Sequence, residues 1–307
     1  MIFVQTLYSQ NKHLLNWLLL LFLGLVWGMS FMGIDLALES FQPITIASLR
    51  ILFAALILYF VTKFYGLKLP FPNKKNGNKV FIHSIGMALF SNVLPFTLFC
   101  WAQKDVSSSF AGITTALVPL IVLPLTYIYI PNSEITFRKV FGFILGFFGV
   151  FILIGPSNII FEKNLSMIFA QLLCILACFC YATGAIITKL TPEINPISLS
   201  ACTLIIGSVI IIPIALFFEG LPNNITLISV FGVVFLGVFS TATATLILVF
   251  LIKQAGPPFL SMVNYQIPIW SIFFGYFLLN EIIPNSFIFG LLFIFSGLAI
   301  SEFKKYS

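Results

Sequence analysis

Charge is scarce in this chain: Asp, Glu, Lys and Arg make up 8% of its 307 residues, against about 25% in soluble domains. A sequence so poor in charge cannot clothe a water-facing surface. With 60% hydrophobic residues and a mean hydropathy of +1.11, it reads as an all-α integral membrane protein with no soluble domain. Acid is absent where it would matter most. No Asp or Glu lies near the centre of an apolar run, where proton relays sit, so the sequence gives proton coupling no support. The two histidines, His13 and His83, fall near the ends of runs. A membrane-embedded enzyme therefore lacks the convergent acids, histidines or nucleophile and base that it needs. Repeated charge and carbonyl-rich filter motifs are missing too, which argues against an ion channel. The five cysteines, Cys100, Cys174, Cys178, Cys180 and Cys202, all lie inside apolar runs and read as small packing residues. Cys174 and Cys178 share a helix face, but with no His or acid beside them they make no metal site, and no cofactor is called for. The basic excess, with a pI near 9.1, sits between the apolar runs. Membrane orientation accounts for it, with the lipid bilayer and not nucleic acid as the partner.

What the chain has instead is a series of helix-length apolar runs. The spacing predicts ten transmembrane helices, at about 14–34, 43–64, 80–101, 107–130, 137–155, 166–189, 197–218, 225–252, 258–279 and 284–303. Residues 1–13 read as a short cytoplasmic arm, 14–155 as a first repeat of five helices and 166–303 as a second. The halves share landmarks. Lys104 to Pro119 and Lys253 to Pro268 are both 15 residues apart, and Ser108, Gly112 and Thr115 fall where Pro257, Ser261 and Asn264 fall. Gly142 and Gly149 likewise match Gly290 and Gly297. With the amino terminus inside, 12 of the 15 basic residues face the cytoplasm, which places both termini there. Five is odd, so the second half enters the bilayer upside down. Inverted repeats are the arrangement by which secondary transporters alternate access around a midplane site.

The ordered strings LGLVWGMSFMGIDLAL, IASLRILFAALIL, ALVPLIVLP and RKVFGFILGFFGVFILIG, echoed by YATGAIITKL, IPIWSIFFGYFLLNE and FGLLFIFSGLAIS, resemble the ten-helix, EamA-type branch of the drug/metabolite transporter superfamily. The resemblance covers nearly the whole chain. It implies a transporter whose central cavity is lined by helices 1, 3, 4, 6, 8 and 9, with helices 5 and 10 at the periphery. One departure is Tyr181-Ala182 where helix 1 has Trp27-Gly28.

Candidate site residues follow from polarity at depth. Ser261, Asn264, Pro268, Ser271 and Gly275 recur at steps of three or four and share one face, which must avoid lipid. Asn92, Thr115, Thr241, Asn264 and the neighbouring Tyr265 are expected to line one cavity, with Trp27 and Tyr181 as matched aromatic walls. The plainer alternatives are that Trp27 is an interface anchor and that the hydroxyls bond their own helix carbonyls. Both asparagines need partners for two polar atoms and favour a cavity or an interhelical bond. Arg50, some seven residues into helix 2, is expected to snorkel outward in a structural role. Gly142, Gly146 and Gly149 form a GxxxG face for helix packing, with a homodimer seam as the alternative. Lys104 and Glu281 at one rim, and Lys253 and Glu134 at the other, are gate candidates; otherwise they are solvated helix-end charges. The cargo expected is a small neutral, zwitterionic or amphipathic metabolite such as an amino acid, moved outward. Uptake of a nucleoside-like metabolite is the alternative.

Overall fold

A computed structural model describes residues 2–70, 77–130, 136–154, 165–255, 260 and 263–302. Every regular element among them is helical. In chain order these are α1 (Ile2–Leu38), α2 (Pro43–Phe64), α3 (Gly77–Ala102), α4 (Ser108–Tyr129) and α5 (Phe137–Ile154) in the first half. The second half has α6 (Leu165–Leu190), α7 (Pro196–Phe218), α8 (Leu227–Ala255), α9 (Val263–Leu278) and α10 (Asn285–Glu302). Seven of the ten are long and apolar enough among the described residues to cross a bilayer by themselves. No glycine or proline interrupts residues 2–23, and α1 is continuous from Ile2.

Helix ends follow local chemistry, and the halves repeat it. Pro43 and Pro196 each open a helix at its first position, where a missing N–H costs nothing. Gly66 and Gly220, just past the ends of α2 and α7, take φ of +62° and +69°, the left-handed turn that ends a helix and that glycine adopts without a Cβ clash. Ser107, Asn195 and Thr226 cap α4, α7 and α8 through side-chain oxygens that accept backbone N–H groups.

Packing obeys the exchange of halves. α2 lies against α7, α4 against α9 and α5 against α10, while α1 meets α8 and α9 as α6 meets α3 and α4. Five helices per half make the second an inverted copy of the first. The α5–α10 pair stands at the edge and uses the glycine face for itself. A Cβ on Gly149 would sit 2.7 Å from the Gly290 carbonyl, and one on Gly290 would sit 2.9 Å from the Gly149 carbonyl. The face read as an alternative homodimer seam is thus filled within one chain, by close backbone approach. Outer surfaces of these helices are apolar: Phe148 and Phe151 of α5 and Leu292 of α10 are all more than half exposed, as lipid-facing side chains should be.

Candidate functional site

Two helices of matched position carry the same local defect. α3 widens to a π turn over Ala88–Val93, and α8 does so over Val238–Thr243. Asn92 Nδ2 donates to the Met87 carbonyl at 3.3 Å, and Thr241 Oγ1 donates to the Leu236 carbonyl at 2.9 Å. Each reaches back five residues. A π turn displaces carbonyls from the regular ladder, and a polar side chain one turn on is what satisfies them. The sequence marked Asn92 and Thr241 as polar groups expected on a cavity wall, but not that the backbone opens at both.

These turns border a cavity of about 620 Å³ between the two halves. Trp27, Asn92, Thr115, Tyr181, Thr241 and Asn264 all lie on its wall. Trp27 donates its indole N–H to the Ser240 carbonyl in the α8 π turn at 3.1 Å, so α1 is held against α8 where the cavity begins. Tyr181 stacks on Phe99 with ring centroids 6.1 Å apart and meets Phe96 edge-on at 6.4 Å. Thr115 sits at the break in α4, between Ser108–Thr114 and Leu117–Tyr129. Pro119 has no N–H to return to the Thr115 carbonyl, so the ladder is interrupted there. Cys178 of α6 donates to the neighbouring Thr114 carbonyl at 3.2 Å, and all five cysteines are buried free thiols.

Tyr265 is not on that wall. Its ring packs against Phe295 of α10 at 5.6 Å, because one residue along a helix turns the side chain by about 100°. The small face of α9 is divided as well. Asn264 borders the cavity, whereas Ser271 and Gly275 are buried against α4, where Ser109 Oγ lies 3.5 Å from the Ser271 carbonyl. Ser261 lies outside the described residues.

Arg50 departs from its expected place. It is 6% exposed and lines the cavity instead of reaching for the interface. Its Nε donates to Thr241 Oγ1 at 2.9 Å and its Nη1 to Ser30 Oγ at 3.2 Å, while the guanidinium carbon lies 3.8 Å from the centre of the Phe96 ring. Depth along α2 gave the distance to the helix end. Only the packing of α2 against its neighbours decides which way the side chain turns. The signal available was that Arg50 is the one charge well inside a span.

The cavity reaches the amino-terminal face, the face where α1 begins, through Thr191, Pro192, Glu193 and Ile194 of the α6–α7 connection. None of the residues described between α1 and α2, α3 and α4, α7 and α8, or α9 and α10 lines it. That opposite rim is bridged by two carboxylates. Glu219, ending α7, accepts from Ile44 N at 2.9 Å, Thr45 N at 2.7 Å and Thr45 Oγ1 at 2.8 Å in the first turn of α2. Glu281, after α9, accepts from Ser108 N at 2.6 Å and Ser109 N at 3.0 Å at the start of α4, and from Ser109 Oγ. Each is a helix-terminus site for an anion, filled by the opposite half. Lys104 does not pair with Glu281; its ammonium lies 5.7 Å from the centre of the Trp101 ring. Glu134 lies outside the described residues, as does the side chain of Lys253.

A solvent-reaching cavity between two inverted halves, shut at one face, is the arrangement of a polytopic membrane carrier. Comparison with known proteins makes this specific. Residues 15–155 and 168–303 each match the model of the EamA-like transporter family, and the chain belongs to that family, within the drug/metabolite transporter superfamily. It is a secondary transporter and not an enzyme. It is 23% identical over 282 residues to the uncharacterized transporter YoaV of Bacillus subtilis (strain 168), covering 91% of this chain and 94% of that protein. It is 28% identical over 268 residues to an uncharacterized transporter of Archaeoglobus fulgidus, covering 87% and 91%. To the S-adenosylmethionine/S-adenosylhomocysteine transporter of Chlamydia muridarum it is 23% identical over 292 residues, covering 91% and 90%. A solved crystal structure shares the fold with a TM-score of 0.63 and 15% identity, covering 93% of this chain and 95% of the other.

Proposed function

We propose that the protein exports small zwitterionic, neutral or amphipathic metabolites, amino acids among them, by alternating access. Trp27, Asn92, Thr115, Tyr181, Thr241 and Asn264 make the first contacts with cargo. The observation that carries this reading is a 620 Å³ cavity walled by both halves, reaching one face while Glu219 and Glu281 bridge the other. The basic bias assigns the open, amino-terminal face to the cytoplasm. Cargo can then load from the cytoplasm in this state, the step with which export begins. The cavity is mostly apolar and aromatic with dispersed hydroxyls and carboxamides, the balance that suits a small amphipathic ligand.

A base-bearing zwitterion is the second candidate cargo, favoured by Trp27, Phe96, Phe99 and Tyr181 on the wall and by the relative from Chlamydia muridarum. The test is flux of labelled L-methionine, L-phenylalanine and S-adenosylmethionine across inverted and right-side-out vesicles. Export predicts accumulation in the inverted ones. Movement of none of the three would refute the proposed cargo class, and accumulation only in right-side-out vesicles would refute the direction.

A further inference from the structure

Arg50 is a cation with hydrogen-bonding capacity left over. A guanidinium has five N–H donors in a planar fork, and two are engaged, by Thr241 and Ser30. Phe96 covers one face. Among the described residues no carboxylate pairs with it. Glu219 and Glu281 are held by the first turns of α2 and α4, and Glu193, the one acid on the cavity wall, is exposed at its mouth. A cation this deep in a low-dielectric wall is costly unless an anion meets it. Hydroxyls and an aromatic face offset only part of that cost.

The inverted repeat sharpens the point. With Pro43 and Pro196 opening α2 and α7, the position matching Arg50 is Thr203. Thr203 also lines the cavity and is 3% exposed, and its hydroxyl has no hydrogen-bond partner among the described residues. One half thus supplies a charged fork where the other supplies a hydroxyl, both incompletely satisfied. The asymmetry gives the cavity a polar end defined by charge. Phosphate would call for several cations, whereas a single fork matches the two oxygens of a carboxylate.

Resting on the cargo class proposed above, we infer that Arg50 is the carboxylate-recognition residue of this transporter, and that its cargo carries a free carboxylate seated on that fork. The specificity it confers is for the acid over its ester or amine. Inorganic chloride is the competing source of negative charge.

The test uses the full chain in vesicles with a cysteine at Val118, on the cavity wall but outside the proposed cargo contacts, and reads protection from a hydrophilic maleimide. The probes are L-methionine, L-phenylalanine, their methyl esters and sodium chloride. With Arg50 intact, the acids should protect at concentrations about tenfold or more below the esters, and chloride should not substitute. Arg50→Gln should bring the acid-to-ester ratio close to one, and Arg50→Lys should keep part of the preference. The ratio is internal to each variant, so a general loss of folded protein cancels. Equal protection by acid and ester with Arg50 intact, an unchanged ratio in Arg50→Gln, or full protection by chloride would overturn the inference. The first two outcomes leave the cargo class standing, because the compounds still bind. Failure of every organic probe would overturn both.

Discussion

The Glu281 bridge makes a quantitative claim about the access equilibrium. Its carboxylate accepts two backbone N–H bonds and one hydroxyl at the start of α4. Bonds to an ionised acceptor contribute about 1.5 to 3 kcal/mol each, and the charge-to-dipole attraction about 0.3 to 1. Glutamine keeps one acceptor oxygen and the shape but loses the charge and at least one bond. Water replaces part of this once the rim opens, leaving a net bias of about 1 to 2 kcal/mol toward the closed rim, or about 5- to 30-fold. Glu281→Gln should therefore raise labelling of a cysteine at Val118, on the cavity wall, from the face opposite the amino terminus by about that factor. The five native thiols are buried and should not compete for a hydrophilic maleimide. Glu219→Gln acts on a different helix pair with no shared partner, so the double variant should multiply the two effects. Lys104→Glu is the control, and since its ammonium sits over Trp101 it should change nothing. Unaltered labelling in the double variant would refute the reasoning and assign closure to apolar packing at the rim.

Further predictions concern the wall and the scaffold. Asn264→Leu should lower transport at least about tenfold with normal amounts of folded protein in the membrane, measured by flux and size-exclusion profile, whereas Tyr265→Phe should leave flux near its starting value because that ring faces Phe295. Thr241→Val removes both the acceptor for Arg50 and the donor to Leu236; a destabilisation of about 1 to 3 kcal/mol is expected, with Thr241→Ser restoring most of it in a thermal-unfolding assay. Gly149→Leu puts a side chain where the Gly290 carbonyl lies, 2.7 Å from the new Cβ, and should lower the melting temperature while leaving the acid-to-ester preference of the cavity intact.

Much of the fold was legible because lipid leaves few alternatives. The run predicted at 43–64 is the helix Pro43–Phe64, since length and hydropathy settle it and a proline marks its start. Duplication and an odd helix count were enough for the inverted architecture. The π turns were not legible: ALFSNV and VFSTAT contain no breaker that separates them from ordinary helix. What could be read was polarity at depth, in Asn92 and Thr241. Side-chain direction was the other limit. Tyr265 and Arg50 each turn to partners, Phe295 and Thr241 with Ser30, that only tertiary packing supplies. Glu219 carried no signal in the sequence, because its partners, Ile44 and Thr45, lie about 175 residues away.

Alternating access is tested most directly by locking the bridged rim. Thr45 and Glu219 touch, with their side-chain oxygens 2.8 Å apart. Cysteines at both positions should be joined by a short, reducible bis-methanethiosulfonate cross-linker, tying α2 to α7 across the span that the glutamate side chain now bridges. The locked protein should still label at Val118→Cys on the cavity wall from the amino-terminal face, should move no cargo, and should recover flux on reduction. Undiminished transport with the cross-link formed would contradict the account.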